Sequence, residues 1–373
     1  MVKKITCTVT TDLNYDQRMK RICNSLHRAG YEVTLVGRKR PFSKPLSEQP
    51  HRQVRLTGRF EKGFLFYAEY NLRLFFFLLT NKFDLVNAID LDSILPGYVV
   101  SKMRKKPIIY DAHEYFTEME EVVSRPGVKR VWEWIERETV PNIRHGYTVS
   151  EGYAELFKEK YNVDYEQVRN VTKLQKMPGE GVQNEPYILY QGSVNVGRGL
   201  DVLIKAMHRV PGYKLYVCGL GNLYDEMRTL VRTEGLEDKV EFKGYVEPDK
   251  LRTFTANAAL GFTLFSNDGL SNQHSLANRF FDYLHHGVPQ IAMNYPEYRR
   301  FNEKFEVAEL LDALNIESLA AAINKVLKDE RYREKLKQNC LRARNEHHWE
   351  KDEQRMLKVF EQAFEEYEEA VQV

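Results

Sequence analysis

The chain has only four cysteines in 373 residues, Cys7, Cys23, Cys218 and Cys340, and no two form a C-x-x-C pair. That excludes a disulfide framework and a thiolate metal site, and leaves buried free thiols in a reducing cytosol as the expectation. Long hydrophobic runs are also missing. The greasiest, "LRLFFFLL" from Leu72 to Leu79, is far short of the roughly 20 residues that span a bilayer. The start, "MVKKITCTVTT", has no apolar core of signal-peptide length. A soluble cytoplasmic protein is therefore expected. Charge of one sign is lacking too: 55 Lys and Arg face 53 Asp and Glu, a formal +2, which argues against a dedicated nucleic-acid binder. There is no GxxxxGK[ST], no G-x-S-x-G and no HExxH, and the histidines show no metal-ligand spacing. P-loop, α/β-hydrolase and zincin chemistry are thereby disfavoured. Pro (13) and Gly (21) are too few for a long disordered tail.

A chain of this length is too large for one ordinary core, so two domains are expected. Basic residues gather early: the first 62 residues hold 14 Lys and Arg against 5 Asp and Glu. Such a face suits an acidic acceptor or an anionic membrane surface, and equally a solvated face of dispersed charge. β-Branched runs alternate with helical spacing. "KKITCTVTT" leads to "YDQRMKRICNSLHRAG", with Met19, Ile22, Cys23 and Leu26 on one face, and then to "YEVTLVG". Next come a helix around Phe64–Leu79, strand "DLVNAID", a helix through "SILPGYVVSKM", strand "PIIYDAHE", a helix around Val131–Glu138 and "HGYTVSE". This strand–helix alternation predicts a doubly wound parallel α/β domain. Val171 to Pro186, with Pro178, Gly179 and Gly181, reads as a linker. The alternation then restarts through "YILYQGS", "KLYVCG", "KVEFKGYV", "AALGFTLF" and "PQIAMN", and three helical segments close the chain after Ile316. The boundaries predicted are 1–172 for a first Rossmann-like domain, to which a C-terminal helix of about 352–373 returns, and 185–350 for a second.

In open parallel sheets ligands bind beyond the carboxyl ends of strands. The residues to weigh are therefore Asp12, Asp90, His113, Gly192 to Arg198, Gly219 to Gly221, Gly244–Tyr245 and Gly269 to Asn278. "YVCGLGNLYDEM" puts Gly219 and Gly221 between strand and helix, but Tyr224 stands where a dinucleotide fingerprint has its third glycine. A tight turn lining a nucleotide site fits better than an NAD site. Asp90-Leu91-Asp92 could hold Mg or Mn beside a diphosphate, or Asp92 or Ser93 could cap the helix that begins there. His113, in "YDAHEYF", follows an apolar strand beside Asp111 and Glu114. In "QGSVNVGRGLDVLI", Arg198 arrives at a helix start, where charge and dipole add to receive an anion. "GLSNQHSLANRFFDYLHHGVPQIA" spaces His274, Asn278 and Asp282 by four, which predicts one polar helical face at a strand end.

The ordered set "GYEVTLVGR", "YDAHEYF", "YTVSE", "ILYQGSVNVGRGLDVLI", "KVEFKGYV" and "LANRFFDYLHHGVPQIA" resembles the GT-B-fold retaining glycosyltransferases of family 4 over nearly the whole chain. The resemblance implies two Rossmann-like domains facing a cleft, with the last helix crossing back to the first. It implies transfer of a sugar from a nucleotide diphosphate sugar, with retained configuration and no bound metal or other cofactor. UDP is favoured over GDP only as the commonest donor nucleotide. Position by position, Asp282 stands where the family's second glutamate holds the ribose, and His274 stands where the first contacts the sugar. The backbone N–H groups of Asn278 and Arg279, together with Arg198, match the diphosphate grip. Gly192 belongs to the same glycine loop, where Ser193 occupies a position often basic. Gly219 lines the nucleotide, Gly244, Tyr245 and Val246 match the segment along the base, and His113 matches the first-domain histidine near the donor sugar. His113, Arg198 and His274 are thus the expected catalytic residues. The acceptor implied is a glycan or a lipid-linked hydroxyl in cell-surface polysaccharide or glycoconjugate synthesis, with peripheral contact at the inner membrane face through the first domain. Two rivals stay open: a GT-B sugar-nucleotide 2-epimerase, and a homologue that binds sugar nucleotides without catalysis, for which the His274 departure speaks.

Overall fold

A computed structural model of the chain describes residues 2–14, 16–177, 185–265 and 269–372. Pro178, Gly179 and Gly181 of the expected linker lie outside the described residues. Two units are resolved by their internal contacts: Met1–Asn170 with Asp352–Val373, and Val171–Lys351.

The first unit carries seven strands: β1 (Lys4–Thr8), β2 (Glu32–Arg38), β3 (Arg52–Leu56), β4 (Leu85–Ile89), β5 (Ile108–Ala112), β6 (His145–Thr148) and β7 (Glu166–Gln167). They are ordered β3-β2-β1-β4-β5-β6-β7 and every pair is parallel. The central strand β4, "LVNAI", is buried at every position, as a strand covered on both faces must be. Edge strand β3, "RQVRL", is buried at none. The alternation had predicted no strand between β2 and the helix Gly63–Thr80; charged residues at both faces of β3 hide it from an apolar-run reading.

The second unit carries β8 (Tyr187–Gln191), β9 (Lys214–Cys218), β10 (Val240–Gly244), β11 (Gly261–Thr263), β12 (Gln290–Met293) and β13 (Ala308–Leu311). Their order is β10-β9-β8-β11-β12-β13, again all parallel. Both units are thus Rossmann-like α/β layers. Three helices close the chain: Ile316–Lys328, Glu330–Arg344 and Trp349–Gln372. Side chains of Asn315 and Asp329 cap the first two, accepting from the N–H groups of Ser318 and Tyr332. From Asp352 on, the last helix belongs to the first unit. It buries Met356, Val359, Phe360 and Phe364 there, with Phe364 stacked on Tyr31 at 5.7 Å and Phe360 tilted against Tyr147 at 6.3 Å.

All four cysteines are buried and free. The early basic excess is partly internal. Arg18 pairs with Asp111, Arg38 with Glu61 and Glu69, and Arg55 with Asp12, so these charges do not form an outer face. Among the described residues no helix is long and apolar enough to cross a membrane.

Candidate functional site

Each strand order reverses once. Such a switch point opens a crevice beyond the carboxyl ends of the two strands involved. In the first unit it falls between β1 and β4, and in the second between β8 and β11.

At the first-unit switch point, Thr8 Oγ1 at the end of β1 lies 3.1 Å from Ser93 Oγ in the helix that follows β4, and Thr10 Oγ1 donates to Asp92 Oδ2 at 2.5 Å. Neither Asp92 nor Ser93 caps the helix Leu91–Arg104: Ser93 Oγ donates back to Ile89 O at 2.6 Å, and the N-cap residue is Asp90, without a side-chain cap bond. Asp90 instead accepts from the N–H groups of His113 (2.8 Å) and Glu114 (3.2 Å), tying β4 to the loop after β5. It does so at φ 54° and ψ 168°, a region that L-residues occupy only under strain. Burial pushes its carboxyl up to about 6, and burial together with the neighbouring Asp90 pushes Asp92 up to about 7. Among the described residues no group of three or more His, Cys, Asp and Glu is placed to hold a metal ion.

Two raised carboxyls make the first unit's stability depend on pH. A carboxyl held above its unfolded value stabilises the fold below that value, near 4, and loses the contribution as pH rises through the folded one. Asp92 therefore costs stability between about pH 4 and 7. Asp92→Asn removes that cost. Its melting temperature is expected to gain on the wild type as pH rises from 5 to 8.5, by an amount equivalent to on the order of 2 kcal/mol after allowing for partial exposure. Parallel melting curves for the two proteins across that range would contradict the assignment.

His113 sits beside this pair. Its Nε2 lies 2.9 Å from Asp111 Oδ2 and 2.7 Å from Arg18 Nε, so it can donate to the first or accept from the second, never both. Burial opposes a charged imidazole, but the Asp111 carboxylate outweighs it and the pKa is raised. Asp111, though buried, is held low by His113 and Arg18.

At the second-unit switch point the loop after β8 meets the segment after β11. Gly192 (φ 123°) ends β8, and its N–H donates to Cys218 O at 3.0 Å. Gly219 packs against it so closely that a Cβ there would sit 1.8 Å from Gly192 O. Gly219 N–H also donates to Gly244 O at 2.8 Å. The glycines after β8 and β9 are thus required by loop stacking on loop. Ser193 is exposed, and its carbonyl accepts from the Tyr190 hydroxyl at 2.8 Å. Tyr245 is an exposed ring at the end of β10, with Val246 next to it half-buried.

The charges converge on one ring. The guanidinium carbons of Arg198 and Arg279 each stand 4.8 Å from the centre of Phe265, and Arg279 also lies 5.5 Å from Tyr190. Arg279 is 7% exposed. One Nη donates to Leu264 O at 2.9 Å, Nε has no hydrogen-bond partner, and no carboxylate pairs with it among the described residues. A buried cation without a counter-charge is costly to the fold, and it marks a place prepared for an anion.

The polar stripe read from the sequence is not one helix. Leu270–Gln273 forms a single turn with His274 as its C-cap, Ala277 is extended (φ −63°, ψ 148°), and a second helix runs from Asn278 to His285. His274 therefore does not share a helical face with Asn278 and Asp282. The break exposes a fresh N-terminus with no side-chain cap at Asn278–Arg279, which is where an anion gains from the helix dipole. Asp282 is one turn on, oriented by Gln191 Nε2 at 3.0 Å, whose amide oxygen accepts from Thr255 Oγ1 at 2.7 Å.

Gly192, Ser193, Arg198, Gly219, Arg279 and Asp282 thus gather around the end of β8, with Gly244 to Val246 two strands away at β10 and His274 just before Asn278. His113 belongs to the other unit.

Two family profiles account for most of the sequence: "Glycosyltransferase Family 4" matches residues 17–171 and "Glycosyl transferases group 1" matches 173–342. The chain is a GT-B glycosyltransferase of family 4. Among curated proteins none matches it significantly. Solved structures similar to this glycosyltransferase include a sucrose-phosphate synthase from Thermosynechococcus elongatus, at 19% identity and TM-score 0.81, covering 97% of this chain and 99% of that one. HepE from Anabaena, solved with UDP and glucose, matches at 16% identity and TM-score 0.78, covering 96% and 99%. WaaG, a glycosyltransferase involved in lipopolysaccharide biosynthesis, matches at 14% identity and TM-score 0.71, covering 95% and 99%. At these identities the likeness concerns the fold.

Sequence reading missed three features at the second-unit switch point: the Arg279 side chain, the Phe265 platform and the Gln191–Thr255 relay. Arg279 did leave a signal, since "ANRFFDYL" sets an arginine directly before two buried phenylalanines.

Proposed function

We propose that this glycosyltransferase moves a sugar from a UDP-sugar to a hydroxyl of a glycan or lipid-linked acceptor, with retained configuration and no bound metal, in cell-surface glycoconjugate synthesis. The observation that carries the reading is Arg279, a buried guanidinium without a counter-charge among the described residues, at the second unit's switch point. Uridine is supported by HepE, which was solved with UDP and with UDP-glucose. The hard event is departure of the nucleotide diphosphate. As the anomeric C–O bond breaks, negative charge grows on phosphate, and Arg198, Arg279 and the N–H groups opening the helix Asn278–His285 receive it. The acceptor oxygen forms its bond on the face the leaving group vacates, and its proton passes to a phosphate oxygen. Asp282 holds the ribose, Tyr245 and Val246 border the base, and His274 contacts the sugar.

Lipid-linked acceptors fit the surface of the first unit. Phe64, Leu65, Leu72 and Phe76 are exposed along one helix and Val128, Val131 and Trp134 along another, and Tyr67 joins the two helices edge-on to Trp132 at 5.1 Å. The protein is expected to float with anionic vesicles, and a Phe64→Ser/Phe76→Ser/Trp134→Ser variant to stay behind; a wild type that stays behind contradicts peripheral attachment.

A thermal-shift panel of UDP, GDP, ADP and their sugars tests the donor, with UDP and a UDP-sugar expected to stabilise most. NMR of the product is expected to show the donor's anomeric configuration. A C2 epimer formed from donor alone would favour the epimerase reading, and tight binding without transfer or hydrolysis would favour the non-catalytic one.

A further inference from the structure

The amino-terminal edge of the first unit's sheet holds a second concavity, remote from the carboxyl ends of its strands. A cavity of about 480 Å³ lies between the end of the helix Leu91–Arg104, the starts of β5 and β6, and the end of the last helix. Its size is within the range of small-ligand sites, roughly 300–1,000 Å³. Four cations line it, Lys102, Lys105, Lys106 and Arg144, against one carboxylate, Glu366. Glu366 is taken by Arg144 at 3.0 Å and His145 at 3.1 Å, and Lys106 by Asp84 at 3.2 Å. Lys102 and Lys105 have no ion pair among the described residues. Cations in a last helical turn also answer the helix dipole, but that accounts for neither of two further features. Ser101 lines the cavity at 1% exposure with a hydroxyl that has no hydrogen-bond partner among the described residues. The lining also holds two rings, Tyr98 and Tyr367, each beneath a lysine (Lys102 at 5.7 Å and Lys106 at 5.2 Å), together with the apolar Ile108 and Ala363, so an occupant meets rings, methyls and charge side by side.

We infer that this cavity binds a small soluble phosphate monoester with a ring-shaped body, its phosphate on Lys102, Lys105 and the Ser101 hydroxyl and its ring against the tyrosine lining. The site is independent of the donor site, and a bound ligand braces the end of the last helix against β5 and β6.

Calorimetry with glucose 6-phosphate, inorganic phosphate and glucose tests it. The monoester is expected to bind best, phosphate more weakly and glucose not at all, with affinity falling as salt rises. Lys102→Gln/Lys105→Gln removes two charge-assisted contacts and is expected to weaken binding by about tenfold or more while donor turnover is unchanged. Ser101→Ala is expected to weaken it less. The same loss must appear in an Arg279→Met background, where the second-unit cradle cannot report. Three results would overturn the proposal: no binding, binding untouched by the double substitution, or a response confined to vesicles carrying phosphatidic acid with none to the soluble ester.

Discussion

Replacing Arg279 by methionine lowers sugar transfer by about two to three orders of magnitude while the melting temperature holds or rises. The two halves of this expectation have one cause. Arg279 is buried and, among the described residues, lacks a carboxylate partner and leaves its Nε without an acceptor. In the absence of donor its charge is a cost, which methionine of similar length removes, offset by the lost bond to Leu264 O. In the proposed reaction the charge faces growing phosphate charge once donor is bound, and one preorganised donor of this kind is worth roughly 3–4 kcal/mol in the transition state. Arg198→Ala, at the same Phe265 ring, is expected to lose a similar factor in turnover with an intact fold. Were Arg279 only a structural residue, the pattern would invert: the melting temperature would fall and turnover per folded molecule would survive.

Asp111→Ala is the largest stability effect expected. Asp111 is fully buried at the end of β5, and its carboxylate accepts from Arg18 Nη2 at 3.1 Å, Arg18 itself being 4% exposed. Removing one partner strands the other as a buried charge, at a cost of about 3–5 kcal/mol. The first unit's calorimetric transition should drop by about 10 °C. Its pH dependence has a defined sign. Asp111 is held low, so its contribution is present above the unfolded carboxylate value and is lost as pH falls through the folded one; His113 is raised, so its contribution is present below its unfolded value and is lost as pH rises through the folded one. Both act together between roughly pH 4 and 6.5, and the gap to the variant should be widest there. Arg18→Met/Asp111→Leu should recover most of the loss. A single variant that melts with the wild type would show that the pair does not hold β5 to the first helix.

The parallel layers were legible because strands such as β4 and β8 are buried on both faces and read as nearly continuous apolar runs, with Asn87 and Gln191 as their polar exceptions. The strand-end loops followed from the alternation. What was hidden depended on partners distant in sequence. β3 is an edge strand of charged residues, invisible to an apolar-run reading. The four-residue spacing of His274, Asn278 and Asp282 predicted one helix because counting cannot see that Ala277 turns extended, a break that "SNQHSLAN" marks with neither glycine nor proline. Asp90 looked like half of a metal motif or the neighbour of a cap; its bonds go to backbone N–H groups 23 and 24 residues away. Gly219 answered to Gly192 across two loops. Arg279 was valued for its backbone, whereas its side chain is the buried charge.

The most direct measurement compares UDP with uridine by calorimetry in the wild type and in Arg279→Met. If Arg279 waits for a diphosphate, the wild type prefers UDP by a large ratio of dissociation constants, and the variant loses at least tenfold of that ratio while its affinity for uridine is unchanged. A ratio that is the same in both proteins would show that the buried arginine does not serve the diphosphate.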